Sequence, residues 1–310
     1  MKSFRRFALF TTLATYFLIF MGGLVRVSGA GLGCPDWPKC FGRWIPPTNV
    51  EQLPPNIDPA QFNFVLAWIE YVNRLTGVIV GLLIAATAVW AISSFRRQPR
   101  IVLPAVAAAV LTAFQGWQGS VVISSQLEPV VVTVHMALAL IIVSLLIYLT
   151  QEAYYRENRE AFLTLRAPRG VIFSLGMLWV IAIIQIALGT QIRSALEILA
   201  RKFPLSTSAE WIGKVGLLNH IHTVLGVLLV AFSWGVAFSI WKYRDRMSAL
   251  MRQSVVAMVT LATLQLFMGL TFIALDLTPI VQVFHLWLAS LYVGSALLLY
   301  TIFRKREAAS

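Results

Sequence analysis

Charged residues are scarce in this sequence, and their scarcity is the first constraint on what the protein can be. Only 12% of the 310 residues are charged, whereas 58% are hydrophobic. Soluble domains typically carry about a quarter of their residues as charges. The composition therefore argues against a soluble protein and predicts a polytopic membrane protein.

The sequence also lacks the alternating segments of about ten residues that build a transmembrane β-barrel. It has instead eight continuous apolar runs, rich in Leu, Val, Ile and Ala, and a membrane-spanning helix needs about 20 such residues. These runs are residues 7–27, 64–92, 101–124, 130–150, 171–192, 214–241, 253–275 and 280–303. We predict an all-α membrane protein with eight transmembrane helices.

The basic start of the chain resembles that of a secretory signal peptide. The apolar run 7–27 is, however, longer than a signal core of about 7–15 residues, and Arg26 interrupts it just before the small residues of 28–30. We therefore predict a retained first helix.

Acidic residues are few, 13 against 25 Lys and Arg, and the net charge is +12. Most of the basic residues lie in alternate connections between the apolar runs, which is the pattern of the positive-inside rule rather than of a nucleic-acid-binding patch. The clusters are Lys2, Arg5 and Arg6; Arg96, Arg97 and Arg100; Arg156, Arg159, Arg166 and Arg169; Lys242, Arg244, Arg246 and Arg252; and Arg304, Lys305 and Arg306. We predict a multi-pass protein of the cell (inner) membrane with both termini cytoplasmic and no nucleic-acid partner.

Only two cysteines occur, Cys34 and Cys40, and both lie in the predicted outer connection 28–63. The outer side of the membrane permits disulfides, and Pro35 and Pro38 favour a turn between the two thiols. Two unpaired thiols are the alternative. Zinc is disfavoured because the connection has no histidine, and no C-x-x-C-H motif indicates attachment of a c-type haem.

The second half of the chain repeats the first. The stretch "NRLTGVIVGLL" (73–83) aligns with "HTVLGVLLVAF" (222–232), and "FQGWQGSVVISSQLEPVVVTVH" (114–135) aligns with "LQLFMGLTFIALDLTPIVQVFH" (264–285). The identical residues in the second pair, 150 positions apart, are Gln115 and Gln265, Gly119 and Gly269, Pro129 and Pro279, and His135 and His285.

A weaker match, "GGLVR" (22–26) with "GTQIR" (189–193), extends the repeat to the first span of each half. Four spans in each half give both repeats the same orientation in the membrane. We predict two pseudo-symmetric four-helix bundles, residues 1–155 with the outer loop 28–63, and residues 156–310.

All four histidines lie within or at the ends of spans, where an ionisable side chain is costly unless it is paired or ligated. His222 and His285 lie at similar depth on different spans of the second half. Two facing histidines in a helical bundle can hold a metal ion or a haem iron through their ring nitrogens. His220 points about 200° away from His222, and we interpret it as structural or interfacial.

Small residues favour a haem over a bare metal ion. Gly226, Ala139 and Ala289 follow His222, His135 and His285 by four residues and share their helix faces. A flat macrocycle needs bare helix surface beside its axial ligand, and no compact cage of carboxylates and histidines for zinc or di-iron is visible. Hydrogen bonding between histidines of different helices is the alternative.

In the first half, His135 is retained, but Asn73 stands where the second half has His222. A haem bound there would have one strong axial ligand and one open face. Glu70, the only acid clearly within a span, lies three residues before Asn73. Two interpretations remain open: an ion pair with Arg74, or a carboxylate that takes protons beside the haem.

Three arginines, Arg26, Arg74 and Arg193, lie at the predicted outer ends of spans. They either extend to the interface or pair with the propionates of a haem.

These motifs resemble the haem A synthase family over nearly the whole chain. The resemblance lies in "GGLVRVSGAGLGCPDWPKCFGRWIPP" (22–47), in "EYVNR" (70–74), in "QGWQGSVVISSQLEP" (115–129) and in the histidines of the fourth, sixth and eighth spans. It implies an oxidoreductase that oxidises the C8 methyl of haem O to the formyl group of haem A, the haem of terminal oxidases.

The resemblance also implies roles for single residues. His222 and His285 would ligate a haem b, His135 would lie on the haem O side, Glu70 would be the catalytic acid, and Cys34 and Cys40 a pair linked to electron transfer. Asn73 departs from the histidine that many members have there.

The implied partners are haem O, the lipid bilayer, a haem O synthase, a terminal oxidase in assembly, and a quinone or other electron acceptor. A non-catalytic protein with two b-type haems that only transfers electrons is the alternative function.

Overall fold

The computed structural model describes residues 1–158, 170–274 and 277–307, except for the side chains of residues 273–274 and 305–307. Nine α-helices and no β-strand occur in these ranges. They are α1 (Lys2–Ser28), α2 (Phe64–Phe95), α3 (Pro99–Ser124), α4 (Pro129–Glu157), α5 (Val171–Lys202), α6 (Ser208–Val215), α7 (Leu217–Trp241), α8 (Ala249–Ala274) and α9 (Pro279–Glu307). The basic residues Arg159, Arg166 and Arg169 lie outside the described residues, as do the side chains of Lys305 and Arg306.

Eight of these helices, all but the short α6, are long and apolar enough to cross a membrane. Large apolar side chains lie exposed along them, for example Phe10, Leu82, Phe173 and Phe238. Exposed apolar surface on this scale is typical of contact with lipid. The predicted all-α fold with eight spans is confirmed.

Several helix starts follow directly from the sequence. Proline occupies the first position of α3, α4 and α9, where its missing N–H costs nothing. The α2 start is capped by Asn63, whose side-chain oxygen accepts a hydrogen bond from the Leu66 N–H at 3.1 Å. At α4, the Glu128 carboxylate accepts from the Val131 N–H at 2.8 Å.

The fifth helix extends beyond the predicted apolar run 171–192. α5 continues to Lys202, because residues 194–202 are mostly strong helix formers and Arg193 forms an ion pair with Glu197 one turn later, at 3.0 Å. The short helix α6 follows, capped by the Thr207 hydroxyl, which accepts from the Glu210 N–H at 3.3 Å.

The chain divides into two compact units: residues 6–146, and residues 147–310 together with 1–5. The core of the first includes Val80, Ile84, Ala108, Ile142 and Leu146. The core of the second includes Leu175, Leu178, Met251, Met258 and Leu299. Because α4 contributes to both units, the boundary at residue 155 stays a prediction, and so does the pseudo-symmetry of the two bundles.

The connection before α2 is held together by short-range bonds. Cys34 and Cys40 form the predicted disulfide, and Cys40 pairs with Arg43 through two backbone hydrogen bonds of 2.8 and 3.2 Å. The Asp36 carboxylate accepts from the backbone N–H groups of Phe41 and Gly42 at 2.6 and 2.9 Å. We call residues 34–43 the disulfide loop.

The disulfide loop lies directly against the first turn of α2. A Cβ atom at Gly33 would overlap the Leu66 carbonyl group, so only glycine allows this approach. Cys34, Cys40 and Phe41 are buried with Ala67 in a small apolar cluster. The loop therefore covers the end of α2 at which Glu70, Asn73 and Arg74 lie.

Candidate functional site

Glu70 lies on α2 and is buried, with 5% of its surface exposed. Its Oε1 atom lies 3.0 Å from Nε of Arg74, one helical turn later. A buried carboxylate is stabilised by such a partner, since taking an unpaired charge out of water costs several kcal/mol. The predicted ion pair is present.

Arg74 also binds the disulfide loop. Its Nη1 atom donates to the backbone carbonyl oxygens of Asp36 and Lys39 at 2.9 and 2.8 Å, and Nη2 donates to that of Cys34 at 3.3 Å. The guanidinium therefore joins the carboxylate of Glu70 to the loop.

Asn73 lies on the same stretch of α2. Its side-chain oxygen Oδ1 is buried and has no hydrogen-bond partner among the described residues. Gly77, one turn further on, leaves space, because a Cβ atom there would meet nothing within 4 Å. This face of α2 combines an unpaired polar atom with bare helix surface, which suits a bound ligand.

His135 lies on α4 and is held by two glutamines of α3. Gln118 Oε1 lies 2.7 Å from the ring nitrogen Nδ1, and Gln115 Nε2 donates to the His135 backbone carbonyl at 2.9 Å. Nε2 of the ring is left as the nitrogen that can bind a ligand.

In the second unit, His222 lies on α7 and His285 on α9. Both Nδ1 atoms are buried, and neither has a hydrogen-bond partner in the described parts of the chain. A buried ring nitrogen without a partner costs free energy, so this pair of rings is well suited to an additional group.

Glutamines also bind the backbone at these two histidines. Gln185 of α5 donates to the His222 carbonyl at 2.6 Å, and Gln265 of α8 donates to the His285 carbonyl at 2.8 Å. The Gln265 contact has the same form as that of Gln115 with His135, at positions 150 residues apart. His285 also packs edge-on against Phe272, with ring centroids 5.4 Å apart.

The glycines of the second unit bring helices close to His222. A Cβ atom at Gly189 of α5 would lie 3.3 Å from Cε1 of the His222 ring. A Cβ atom at Gly226, one turn after His222, would lie 2.9 Å from Nε2 of Gln185. Any larger residue at either position would displace its neighbour.

The other predicted residues are more peripheral. Arg26 directs Nη1 to the Met136 sulfur at 3.5 Å, next in sequence to His135. Arg193 pairs with Glu197, and His220 is exposed. No group of three or more His, Cys, Asp or Glu residues that could hold a metal ion occurs in the part of the chain that the structure describes.

Residues 5–297 match the model of the COX15-CtaA family, described as cytochrome oxidase assembly protein. The chain belongs to this family. Together with the eight apolar helices, this makes it a multi-pass membrane protein.

Among its relatives, the heme A synthase of Exiguobacterium sibiricum is 25% identical over 309 residues, which cover 97% of this chain and 96% of that protein. The heme A synthase of Alkalihalophilus pseudofirmus is 25% identical over 235 residues, 74% of each chain. That of Shewanella oneidensis is 32% identical over 147 residues, 45% of this chain and 42% of that protein. The resemblance to the haem A synthase family is thus confirmed.

Sequence reasoning missed two residues of the candidate site, Gln118 and Gln185. Both are amides within apolar spans, where a polar side chain needs a partner. For Gln118 the signal was present in the repeat, because the residue 150 positions later is Met268. The change from Gln118 to Met268 indicates a polar contact that only the first half makes.

Proposed function

We propose that the chain is a haem A synthase, an integral-membrane oxidoreductase that converts haem O to haem A by oxidising the C8 methyl to a formyl group. The observation that carries this proposal is the family match over residues 5–297, together with a heme A synthase that aligns over 97% of the chain. The buried polar groups described above support it.

A haem b is proposed as the resident cofactor of the second unit. Its axial ligands would be His222 and His285, and the residues present fit it. Two ring nitrogens in the second unit have no hydrogen-bond partner among the described residues, and Gly189 and Gly226 place no side chain beside His222. When bound between two imidazoles, this haem supplies a one-electron carrier.

The haem O substrate is proposed to bind in the first unit, with His135 as its axial ligand. Asn73 would offer the iron only an amide oxygen, which is a weaker ligand than an imidazole. The difference between Asn73 in the first unit and His222 in the second supports substrate oxidation in the first unit and electron storage in the second.

Glu70 is the proposed catalytic residue. The formyl oxygen comes from water or from dioxygen. With water as its source, oxidation of the methyl group releases protons and electrons; the electrons pass to the proposed acceptor, and a buried carboxylate can accept a proton. Arg74 orients this carboxylate through the 3.0 Å contact. Arg26, Arg74 and Arg193 are the proposed partners of the haem propionates. In the structure the other nitrogens of Arg74 bind the disulfide loop, and Arg193 pairs with Glu197.

The disulfide of Cys34 and Cys40 is proposed to take part in electron transfer at the outer face. The basic clusters support an inner-membrane location with both termini in the cytoplasm. A quinone or another electron acceptor, a haem O synthase and a terminal oxidase in assembly are the proposed partners, and no nucleic acid is expected.

Pigment extraction from the purified protein tests the proposal. A haem A synthase should yield haem b together with haem O or haem A. Haem b alone would indicate an electron-transfer protein with two b-type haems, and a preparation without haem would exclude both.

The ligands of haem b are tested by matched alanine variants. His222→Ala and His285→Ala should each lose the b-type absorption, because one imidazole cannot hold a six-coordinate iron. His220→Ala is the control and should keep the spectrum, since His220 lies two residues away and is exposed. A normal b-type spectrum in His222→Ala would refute the assignment.

A further inference from the structure

His135 and His285 occupy equivalent positions of the repeat, yet their Nδ1 atoms have different surroundings. Nδ1 of His135 lies 2.7 Å from Gln118 Oε1. Nδ1 of His285 is buried without a partner among the described residues. The residue equivalent to Gln118 is Met268, whose thioether is only a weak acceptor. One substitution between the halves accounts for the difference.

The orientation of the Gln118 amide is determined by its second contact. Its Nε2 atom lies 3.0 Å from the backbone carbonyl oxygen of Val131. A carbonyl oxygen can only accept, so the NH₂ group must face it, and Oε1 must face His135. Since Oε1 also can only accept, the proton of the neutral ring lies on Nδ1.

We propose that Gln118 is a positioning residue, which holds His135 as the Nδ1–H tautomer and so presents the lone pair of Nε2 to the iron of the substrate haem. This rests on the proposed function in one respect, the role of His135 as ligand. Gln118 is 5% exposed, so water competes little for its amide.

The hydrogen bond between Gln118 and His135 suits the first unit in particular. An N–H bonded to an acceptor makes the other ring nitrogen a stronger ligand and fixes the ring plane. In the first unit His135 is the single strong ligand, because Asn73 replaces the second histidine. In the second unit two imidazoles would share the iron, and neither Nδ1 has such a partner in the described part of the chain.

The tautomer is measurable without turnover. The full-length protein is labelled with ¹⁵N-histidine, purified from cells that make no haem O, and studied by solid-state NMR in lipid. The His135 signals, assigned by their loss in His135→Ala, should show Nδ1 protonated and Nε2 unprotonated. Gln118→Met should shift the His135 ring towards the Nε2–H tautomer, which a neutral histidine side chain prefers when neither ring nitrogen has a hydrogen-bond partner.

Two variants separate this role from a general structural one. In Gln118→Glu, a protonated carboxyl group can donate its O–H to the Val131 carbonyl and accept from Nδ1–H with its other oxygen, so the Nδ1–H tautomer should be kept. Gln115→Met makes the same kind of change one turn away, where the amide contacts the His135 backbone and not the ring. It should leave the tautomer unchanged. An Nε2–H ring in the unmodified protein, or no difference between Gln118→Met and Gln115→Met, would overturn the proposal.

Binding of haem O gives the second measurement. Titration of the same preparations, followed by the visible spectrum, should give a dissociation constant about 10–100-fold higher for Gln118→Met, with affinity largely restored in Gln118→Glu. An unchanged constant in Gln118→Met would overturn the proposal.

Failure of this inference and failure of the proposed function are distinguishable. A protein that forms haem A but carries an Nε2–H His135 contradicts only the role of Gln118. A protein with the expected tautomer and binding that forms no haem A contradicts the proposed activity.

Discussion

The side chain of Arg74 connects Glu70 to the disulfide loop. One nitrogen of its guanidinium lies 3.0 Å from the Glu70 carboxylate, and the other two bind backbone carbonyls of the loop at 2.8–3.3 Å. Arginine suits this place because its planar group offers donors in several fixed directions at once. The buried carboxylate and the covering loop therefore depend on one residue.

Replacing Arg74 by lysine should loosen the loop. A lysine keeps the charge but cannot reach the carboxylate and the carbonyls together, and hydrogen bonds to charged groups contribute about 1.5–3 kcal/mol each. We expect a lower melting temperature in detergent and faster reduction of the Cys34–Cys40 disulfide, measured by thiol labelling. Arg43→Lys is the control, because Arg43 makes one long contact of 3.5 Å to Gln52 at an exposed site. Equal reduction rates in the two variants would contradict the role of Arg74.

Replacing Glu70 by glutamine should abolish haem A formation while haem b remains bound. The amide keeps the size of the side chain but cannot accept a proton as a carboxylate does. Glu152→Gln is a matched control, since Glu152 is also buried and pairs with an arginine one turn later, Arg156, at 2.9 Å. Extracted haems are measured by chromatography, and normal haem A from Glu70→Gln would refute the catalytic role.

Sequence patterns were sufficient to predict the eight membrane spans of this protein. Membrane spans are set by the length and polarity of apolar runs, which the bilayer imposes locally, so all eight were predictable. The disulfide was one of two open interpretations, and the Glu70–Arg74 pair followed from spacing on one helix. The extension of α5 to Lys202 was missed because the predicted span ended where the apolar residues end, whereas the helix continues into polar residues.

Contacts between segments that are distant in sequence were not predictable in the same way. The sequence alone does not predict that the Arg74 guanidinium binds the backbone carbonyls of residues 34, 36 and 39. Every residue has a backbone carbonyl, so residue types do not indicate which carbonyls accept a hydrogen bond. The bond of Gln118 to His135 likewise depends on the register of α3 against α4. The repeat carried the one available clue, the change from Gln118 to Met268.

Replacing Asn73 by histidine should convert the substrate haem to a low-spin form. A second imidazole would give the iron two strong ligands, as proposed for the other unit. The helix surface beside residue 73 is open, because a Cβ atom at Gly77, one turn later, would meet nothing within 4 Å. The visible and electron paramagnetic resonance spectra measure the spin state, and haem A formation should fall because the open face is lost. Asn73→Ala should keep the original spin state, and a high-spin substrate haem in Asn73→His would contradict the predicted geometry.

Replacing Gly189 by alanine should weaken the haem b site. The added methyl would lie 3.3 Å from Cε1 of His222, closer than an ordinary van der Waals contact, so the imidazole must move by a few tenths of an ångström. We expect the affinity for haem b to fall by about 10-fold, the lower end of what loss of a supporting contact costs a metal site. Gly22→Ala is the control at the equivalent position of the first unit, where alanine meets open space and should stabilise the helix by up to about 1 kcal/mol. The haem b content and the melting temperature of both variants are measured. Equal haem b content in Gly189→Ala and Gly22→Ala would show that haem b binding at His222 does not require glycine at position 189.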